Sequence, residues 1–269
     1  MRLLDTVTAP NHWRTVDFIS DLHLQASESA TFDAWRAYLA ATPCDALFIL
    51  GDLFEVWVGD DVLDAPSSES RFPNTCVQAL RVATGRMSVF FMAGNRDFLV
   101  GERLLADTGM QGLSDPTTLT LGNEQWVLSH GDALCLADTD YQRFRHQVRS
   151  PEWQARFLAA PLTQRLNLAR QIRQESEQRK ATPEKTWADV DIGAASSLLA
   201  QRHAIRLVHG HTHQAADHPL TVDGHRHVLS DWDANSTPPR LEVLRWRAPK
   251  NGQAYDTPLR LHIEMASIA

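Results

Sequence analysis

Cysteine is scarce: Cys44, Cys76 and Cys135 are the only three in 269 residues. Their odd number and wide spacing suit neither a disulfide framework nor a thiolate zinc site, and a reducing cytosol is the expected compartment. Long apolar runs are missing too. Met1 to Trp13 mixes Arg2, Asp5, Pro10 and His12 with apolar residues, unlike the core of a signal peptide. No later run reaches the ~20 residues of a membrane span, so any membrane contact is expected to be peripheral. Positive charge is not in excess either. A formal net charge of −7 does not favour nucleic acid as a partner, and most of the eight Trp lack the basic interleaving of a base-stacking platform. There is no internal repeat and no low-complexity tract.

What is present is an ordinary globular balance, 43% hydrophobic and 22% charged, at a length that fits one large α/β domain or two small ones. Five short apolar runs each end abruptly in residues that bind metals. Val16 to Ser20 delivers Asp21 and His23; Ala46 to Leu50 delivers Asp52; Val89 to Met92 delivers Asn95, Arg96 and Asp97. Trp126 to Ser129 delivers His130, and Ile205 to Val208 delivers His209, His211 and His213. Between them, Thr31 to Ala41 and Thr75 to Ala83 carry apolar residues at helical spacing, and Arg226 to Trp232 and Leu241 to Trp246 read as closing strands. Strands alternating with helices predict a sheet covered by helices, with ligands gathered at the carboxyl ends of the strands.

Tyr141 to Lys185 has a different character. Its apolar residues fall mostly at helical spacing, and ten Arg and Lys face four Glu, a local balance of +6. One reading is a helical hairpin with a solvated basic face. The other is a cap whose apolar and basic surfaces receive an amphiphilic anion or touch an anionic bilayer.

Asp21 and His23 are one residue apart, as are His211 and His213, so each pair is expected on one side of an extended segment. With Asp52, Asn95 and His130 they make seven oxygen and nitrogen ligands without a thiolate, a set that suits Mn, Fe or Zn. Seven exceed one ion's tetrahedral need, and two ions bridged by Asp52 would use them all, one making water acidic and both neutralising phosphoryl oxygens. His12, His146, His203, His218, His225 and His227 lack this placement and read as solvated or structural; His209 is ambiguous. Cys135 reads as a small packed residue.

Asp21-Leu22-His23, Gly51-Asp52, Gly94-Asn95-Arg96-Asp97, His130-Gly131-Asp132 and Gly210-His211-Thr212-His213 resemble the calcineurin-like metallophosphoesterases. Asp52-Leu53-Phe54-Glu55, Gly59-Asp60-Asp61 and Asp132-Ala133-Leu134-Cys135 bring the chain nearer to the UDP-2,3-diacylglucosamine pyrophosphatases of lipid A biosynthesis. The likeness runs from about Phe18 to Trp232. It implies an α/β sandwich of two mixed sheets flanked by helices, one domain over 1–269 with a helical cap inserted at 138–190. It also implies two Mn ions, the first on Asp21, His23, Asp52 and His213 and the second on Asp52, Asn95, His130 and His211. The implied reaction yields UMP and 2,3-diacylglucosamine 1-phosphate at the cytoplasmic face of the inner membrane, with no obligate protein partner. Asp52, Asn95, Arg96 and His130 would be catalytic. Asn95, Arg96, Asp138, His211, Ser176 and Lys180 would contact substrate, although the family carries Asn at Lys180 and Lys at Pro183. Phe144, Trp153, Phe157, Leu158 and Leu162 would line the acyl chains.

Most of the superfamily carries His where Arg96 stands. A guanidinium stays charged, so it clamps phosphate oxygens and gives up no proton. Cleaving a pyrophosphate releases a phosphate monoester whose last pKa is about 6, so its leaving group scarcely needs protonation. Arg96 therefore favours an anhydride substrate. The competing reading pairs Arg96 with Asp97 on the surface. Other functions open to the sequence are a phosphodiesterase or phosphatase for soluble nucleotides or esters, and a scaffold that has lost catalysis.

Overall fold

The apolar runs form the middle of a large sheet. The computed structural model describes residues 3–180, 189–249 and 257–264. Strands β1 (Leu4–Thr8), β2 (Thr15–Ile19), β3 (Ala46–Leu50) and β4 (Ser88–Met92) are followed by β5 (Gln111–Leu121), β6 (Glu124–Ser129), β7 (Arg206–His209), β8 (Ala216–Pro219), β9 (His225–Val228), β10 (Glu242–Arg247) and β11 (Leu259–His262). They pair in the order β11-β10-β2-β3-β4-β5-β6-β7-β9-β8, with β1 beside β5. β2, β3 and β4 run parallel, as do β6, β7 and β9. All five residues of β3 are buried, as expected of a parallel strand covered on both faces.

The two expected layers are one continuous ladder that curls. β5 pairs with β4 through Gln111 to Leu113 and with β6 through Thr117 to Leu121, and Ser114-Asp115-Pro116 lies between the two stretches. Phe18 on β2 and Trp126 on β6 are four strand spacings apart, about 19 Å in a flat sheet. Their rings nevertheless stack at 5.6 Å. Phe18, Phe48 and Phe90 stack along the same inner face. The ends of the path also meet: Arg260 of β11 pairs with Asp217 of β8 and donates to the carbonyls of Ala216 and Val228.

Helices α1 (Ser29–Ala41), α2 (Ser67–Thr84) and α3 (Glu102–Thr108) cover the outer face of β2–β4, where Trp35, Leu39, Leu80 and Leu104 meet Ile19, Ile49 and Phe91. Between β6 and β7 come α4 (Thr139–Val148), α5 (Pro151–Leu158), α6 (Leu162–Lys180) and α7 (Ile192–Gln201). α7 packs Ala195 and Leu199 on Val127 and Leu207. Asp138 and Ser150 cap α4 and α5 through their side chains, and Pro151 opens α5 where no N–H is needed. Trp153, Phe157 and Leu162 pack against the outer core. Phe144 and Leu158, in contrast, are exposed, so the apolar residues expected to act as one surface divide in two.

Several basic residues of this segment hold it to the body. Arg165, 2% exposed, pairs with Asp61 and donates to the carbonyls of Val58 and Ala160. Arg145 and Arg149 reach Asp132 and the carbonyl of Gly94. Residues 181–188, including Pro183 and Lys185, lie outside the described residues, as do the side chains of Ser176 and Lys180 on the last turns of α6. No helix among the described residues is long and apolar enough to cross a membrane.

His227 is structural, as its sequence position suggested. It is buried, its Nδ1 2.7 Å from Asp217. Burial holds its pKa below the ordinary value although Asp217 pulls it up. The unfolded chain therefore binds this proton first as pH falls, and stability present above about pH 6.5 is lost below it, by up to about 1.4 kcal/mol per pH unit. Urea unfolding at pH 7.5 and 5.5 is expected to show a smaller loss in His227→Gln than in the parent chain. Equal losses would mean that another group carries the acid sensitivity.

Candidate metal centre

The loops leaving β2 and β3 stay joined beyond the strands. Asp21 N donates to Gly51 O, His23 N to Asp52 O and Leu24 N to Leu53 O, at 2.9 to 3.0 Å. Within them the backbone turns left-handed. Six non-glycine residues among those described have positive φ, and five are expected ligands: Asp21 (53°), His23 (48°), Asp52 (52°), His211 (67°) and His213 (55°). Each such residue costs on the order of 1–3 kcal/mol unless its surroundings enforce it, and such strain gathers at functional sites. Asp21 and His23 do converge, but through these turns and not through strand alternation.

Two glycines make room for the carboxylate and imidazole. Gly51 has φ 91°, and a Cβ there would strike the ring of His130; a Cβ on Gly94 would collide with the Asp52 carboxylate. Asp97 supports the same loops from beneath. Fully buried, it accepts N–H bonds from Gly94 and Leu53 at 2.8 Å and from Asp52 and Phe54 at 3.3 Å. It therefore does not serve as a surface partner for Arg96, whose Nη1 stands 3.8 Å from Glu55 instead.

All seven expected ligands meet. Ligand atoms of Asp21, His23 and His213 lie within 4.8 Å of one another, as do those of Asp21, Asp52 and His130. Asn95 Oδ1 sits 2.9 Å from His130 Nε2 and 2.8 Å from His211 Nδ1, and His211 N donates to Asp21 Oδ2 at 2.9 Å. Asp21 is the carboxylate common to both groups, whereas Asp52 belongs to the second.

The donors fit a divalent cation. His130 donates Nδ1–H to Leu50 O at 2.9 Å and His23 Nδ1 lies 2.9 Å from Glu55, which fixes both rings with Nε2 facing the cluster. His23 Nε2 and His213 Nε2 face each other at 3.4 Å, and His213 Nε2 also stands 3.3 Å from the buried Asp21 Oδ1. Burial alone would lower the pKa of His130, yet the carboxylates of Asp52, Asp21 and Asp132 hold it up to about 9. A pocket that draws a proton onto a buried imidazole favours positive charge. The thiols take no part: all three are buried, and burial pushes Cys44 and Cys135 up to about 12.

The other expected contacts are distributed more widely. Arg96 is 14% exposed at its side chain, its N–H donating to Asp52 Oδ1 at 2.8 Å and its buried Nε without a hydrogen-bond partner among the described residues. Asp138 accepts from Tyr141 N as the cap of α4. His209 is buried behind Gly131, its pKa lowered by burial to about 4, so it serves as a neutral packed ring. Glu55, Asp97, Asp132 and Tyr141 are contributors that ligand spacing did not single out. Glu55 and Asp132 do follow Asp52 and His130 at short intervals, within the motifs that carry the family likeness.

A family model described as calcineurin-like phosphoesterase matches residues 14–215. The chain is 37% identical over 249 residues to a UDP-2,3-diacylglucosamine hydrolase from Chromohalobacter salexigens, covering 87% of this chain and 99% of that one. It is 43% identical over 230 residues to the protein of the same name from Xanthomonas axonopodis pv. citri, covering 81% and 91%. A solved dimetal phosphatase from Danio rerio aligns over 93% of this chain and 99% of that one, with a TM-score of 0.50 at 14% identity, a likeness of fold alone. The chain thus belongs to the calcineurin-like phosphoesterases and, among them, to the UDP-2,3-diacylglucosamine hydrolase family.

Proposed function

We propose that this protein hydrolyses the pyrophosphate bond of UDP-2,3-diacylglucosamine. One water is consumed, and UMP and 2,3-diacylglucosamine 1-phosphate are released for lipid A synthesis. The observation that carries the reading is the convergence of seven oxygen and nitrogen donors from five strand ends on one cluster, in a chain whose relatives bear that substrate in their name.

Asp21, His23, Asp52 and His213 would hold one Mn ion, and Asp52, Asn95, His130 and His211 the other, with Asp52 between them. Such ions supply Lewis acidity and a water acidic enough to attack at neutral pH. The chain's own groups do the rest. Glu55 and Leu50 O orient the rings of His23 and His130. Arg96 brings a permanent charge beside the Asp52 loop, suited to the non-bridging oxygens of a diphosphate. Asn95 and His211 would contact the same phosphates, with Asp138, Ser176 and Lys180 nearer the sugar.

Helices α4–α6 would form a cap within a single domain, with Phe144 and Leu158 available to the acyl chains and the enzyme resting peripherally on the cytoplasmic face of the inner membrane. To test this, purified protein is incubated in ¹⁸O-water with UDP-2,3-diacylglucosamine or UDP-glucose, with and without Mn. Mn-dependent release of UMP from the lipid alone is expected, with the label in UMP as water attacks the phosphorus nearer uridine. Equal turnover of both substrates would defeat the lipid assignment and favour a phosphodiesterase for soluble nucleotides.

A further inference from the structure

One buried carboxylate outside the ligand set joins the metal centre to the helical segment. Asp132 lies two residues after His130 and is fully buried. Its Oδ2 accepts from Tyr141 Oη at 2.6 Å and from Arg145 Nε at 2.8 Å, and Arg149 Nη2 stands 3.9 Å away. Gln142 Nε2 donates to the Asp132 carbonyl at 2.7 Å. Tyr141, Arg145 and the C-cap residue Arg149 follow one another at intervals of four, so they line one face of α4 and its end. That face bears on the turn carrying Asp132.

The same side chains touch the expected ligands. The Tyr141 ring lies against that of His211, centroids 5.8 Å apart at 29°. Arg149 donates to the carbonyl of Gly94, next to Asn95, at 2.8 Å and lies 5.1 Å over the Phe98 ring. Asp115, which accepts from Ser129 Oγ and His130 N, completes the surroundings of Asp132 behind the site. A charged acceptor binding a phenol and a guanidinium at once is stronger than a neutral one, and a buried one cannot exchange them for water.

We infer that Asp132 is a positioning residue: it latches α4 onto the His130 turn, so that the cap is seated beside the His211 ring for a substrate extending into it. The inference rests on the proposed lipid substrate only for its catalytic consequence. Asp132 itself binds neither ion nor substrate.

The test uses the full chain with Asp132→Asn, Tyr141→Phe, Arg145→Gln and the doubles of Asp132→Asn with each. After Mn reconstitution, the bound-metal content of Asp132→Asn is expected to equal that of the parent. Its kcat on UDP-2,3-diacylglucosamine should fall about 10- to 100-fold, the scale of supporting contacts around a metal site, with a change of under about 3-fold on bis(p-nitrophenyl) phosphate. The doubles should lose little more than Asp132→Asn alone, because all three changes cut one network. Hydrogen exchange should rise in residues 139–149 and not across the sheet. Equal loss on both substrates, lost metal or additive doubles would overturn the latch. Should the parent prove inactive on the lipid, the substrate assignment fails, while hydrogen exchange in residues 139–149 still decides the latch. If Asp132→Asn does not fold, Tyr141→Phe and Arg145→Gln cut the same contacts from the helix side and carry the same expectations.

Discussion

Replacing Asp52 with Ala is expected to cut turnover by at least about 10³-fold, at or beyond the top of the range for removing one stabilising donor from a preorganised site, while the chain still folds. Asp52 is 2% exposed at the side chain, with Oδ1 3.7 Å from His130 Nε2 and bonded to Arg96 N. Its charge is one of those that hold the His130 proton. In the metal-free protein, losing the carboxylate removes that attraction but also relieves its repulsion of Asp97, so melting should change little. The difference appears on adding Mn. An ion that binds only the folded chain stabilises it by RT ln(1 + [L]/Kd), about 2.7 kcal/mol at a hundredfold excess over Kd. The parent should gain that increment and the variant should lose most of it. Metal analysis, melting with and without Mn, and UMP release check the three parts separately. Full activity with unchanged metal content in Asp52→Ala would place the catalytic centre elsewhere.

The expected ligands stood out in the sequence because of where the parallel strands lie. β3 is buried on both faces, so Ala46 to Leu50 reads as an uninterrupted apolar run, and the first polar residue after it marks the point where the chain leaves the core. The same holds for Val89 to Met92 and Trp126 to Ser129; His130 follows directly, and Asn95 after Ala93 and Gly94. The curl was hidden from local pattern. It depends on β5 changing partners around Asp115-Pro116 and on Phe18 meeting Trp126, more than a hundred positions along the chain, across the interior. The left-handed turns were hidden too, because only a small fraction of Asp and His residues take positive φ and local sequence does not say which. The basic stretch misled in part. Arg145, Arg149 and Arg165 read as a charged face, yet each is bonded to the body, and composition cannot tell a buried guanidinium from a solvated one.

Asp97 separates the sequence reading from the structural one most sharply. In the competing reading of Arg96 it was half of a surface ion pair, whose loss would cost about 0–1 kcal/mol. In the fold it is the acceptor for four backbone N–H groups, those of Gly94, Asp52, Leu53 and Phe54. Two of the four belong to Asp52 and to the residue before Asn95. Asp97→Ala leaves these buried donors unpaired, at about 1–3 kcal/mol for each that water cannot reach, and a total loss above about 4 kcal/mol would rank among the largest for a single substitution. Asp97→Asn keeps one acceptor oxygen but turns an N–H₂ toward N–H donors, so it should fall between Ala and the parent. Urea midpoints in the order parent, Asn, Ala at constant m would bear this out. The Mn-dependent gain in stability should shrink in the same order, because the backbone that aims Asp52 and Asn95 loses its support. An Asp97→Ala protein matching the parent in both measurements would show that the loops hold their left-handed turns without this carboxylate.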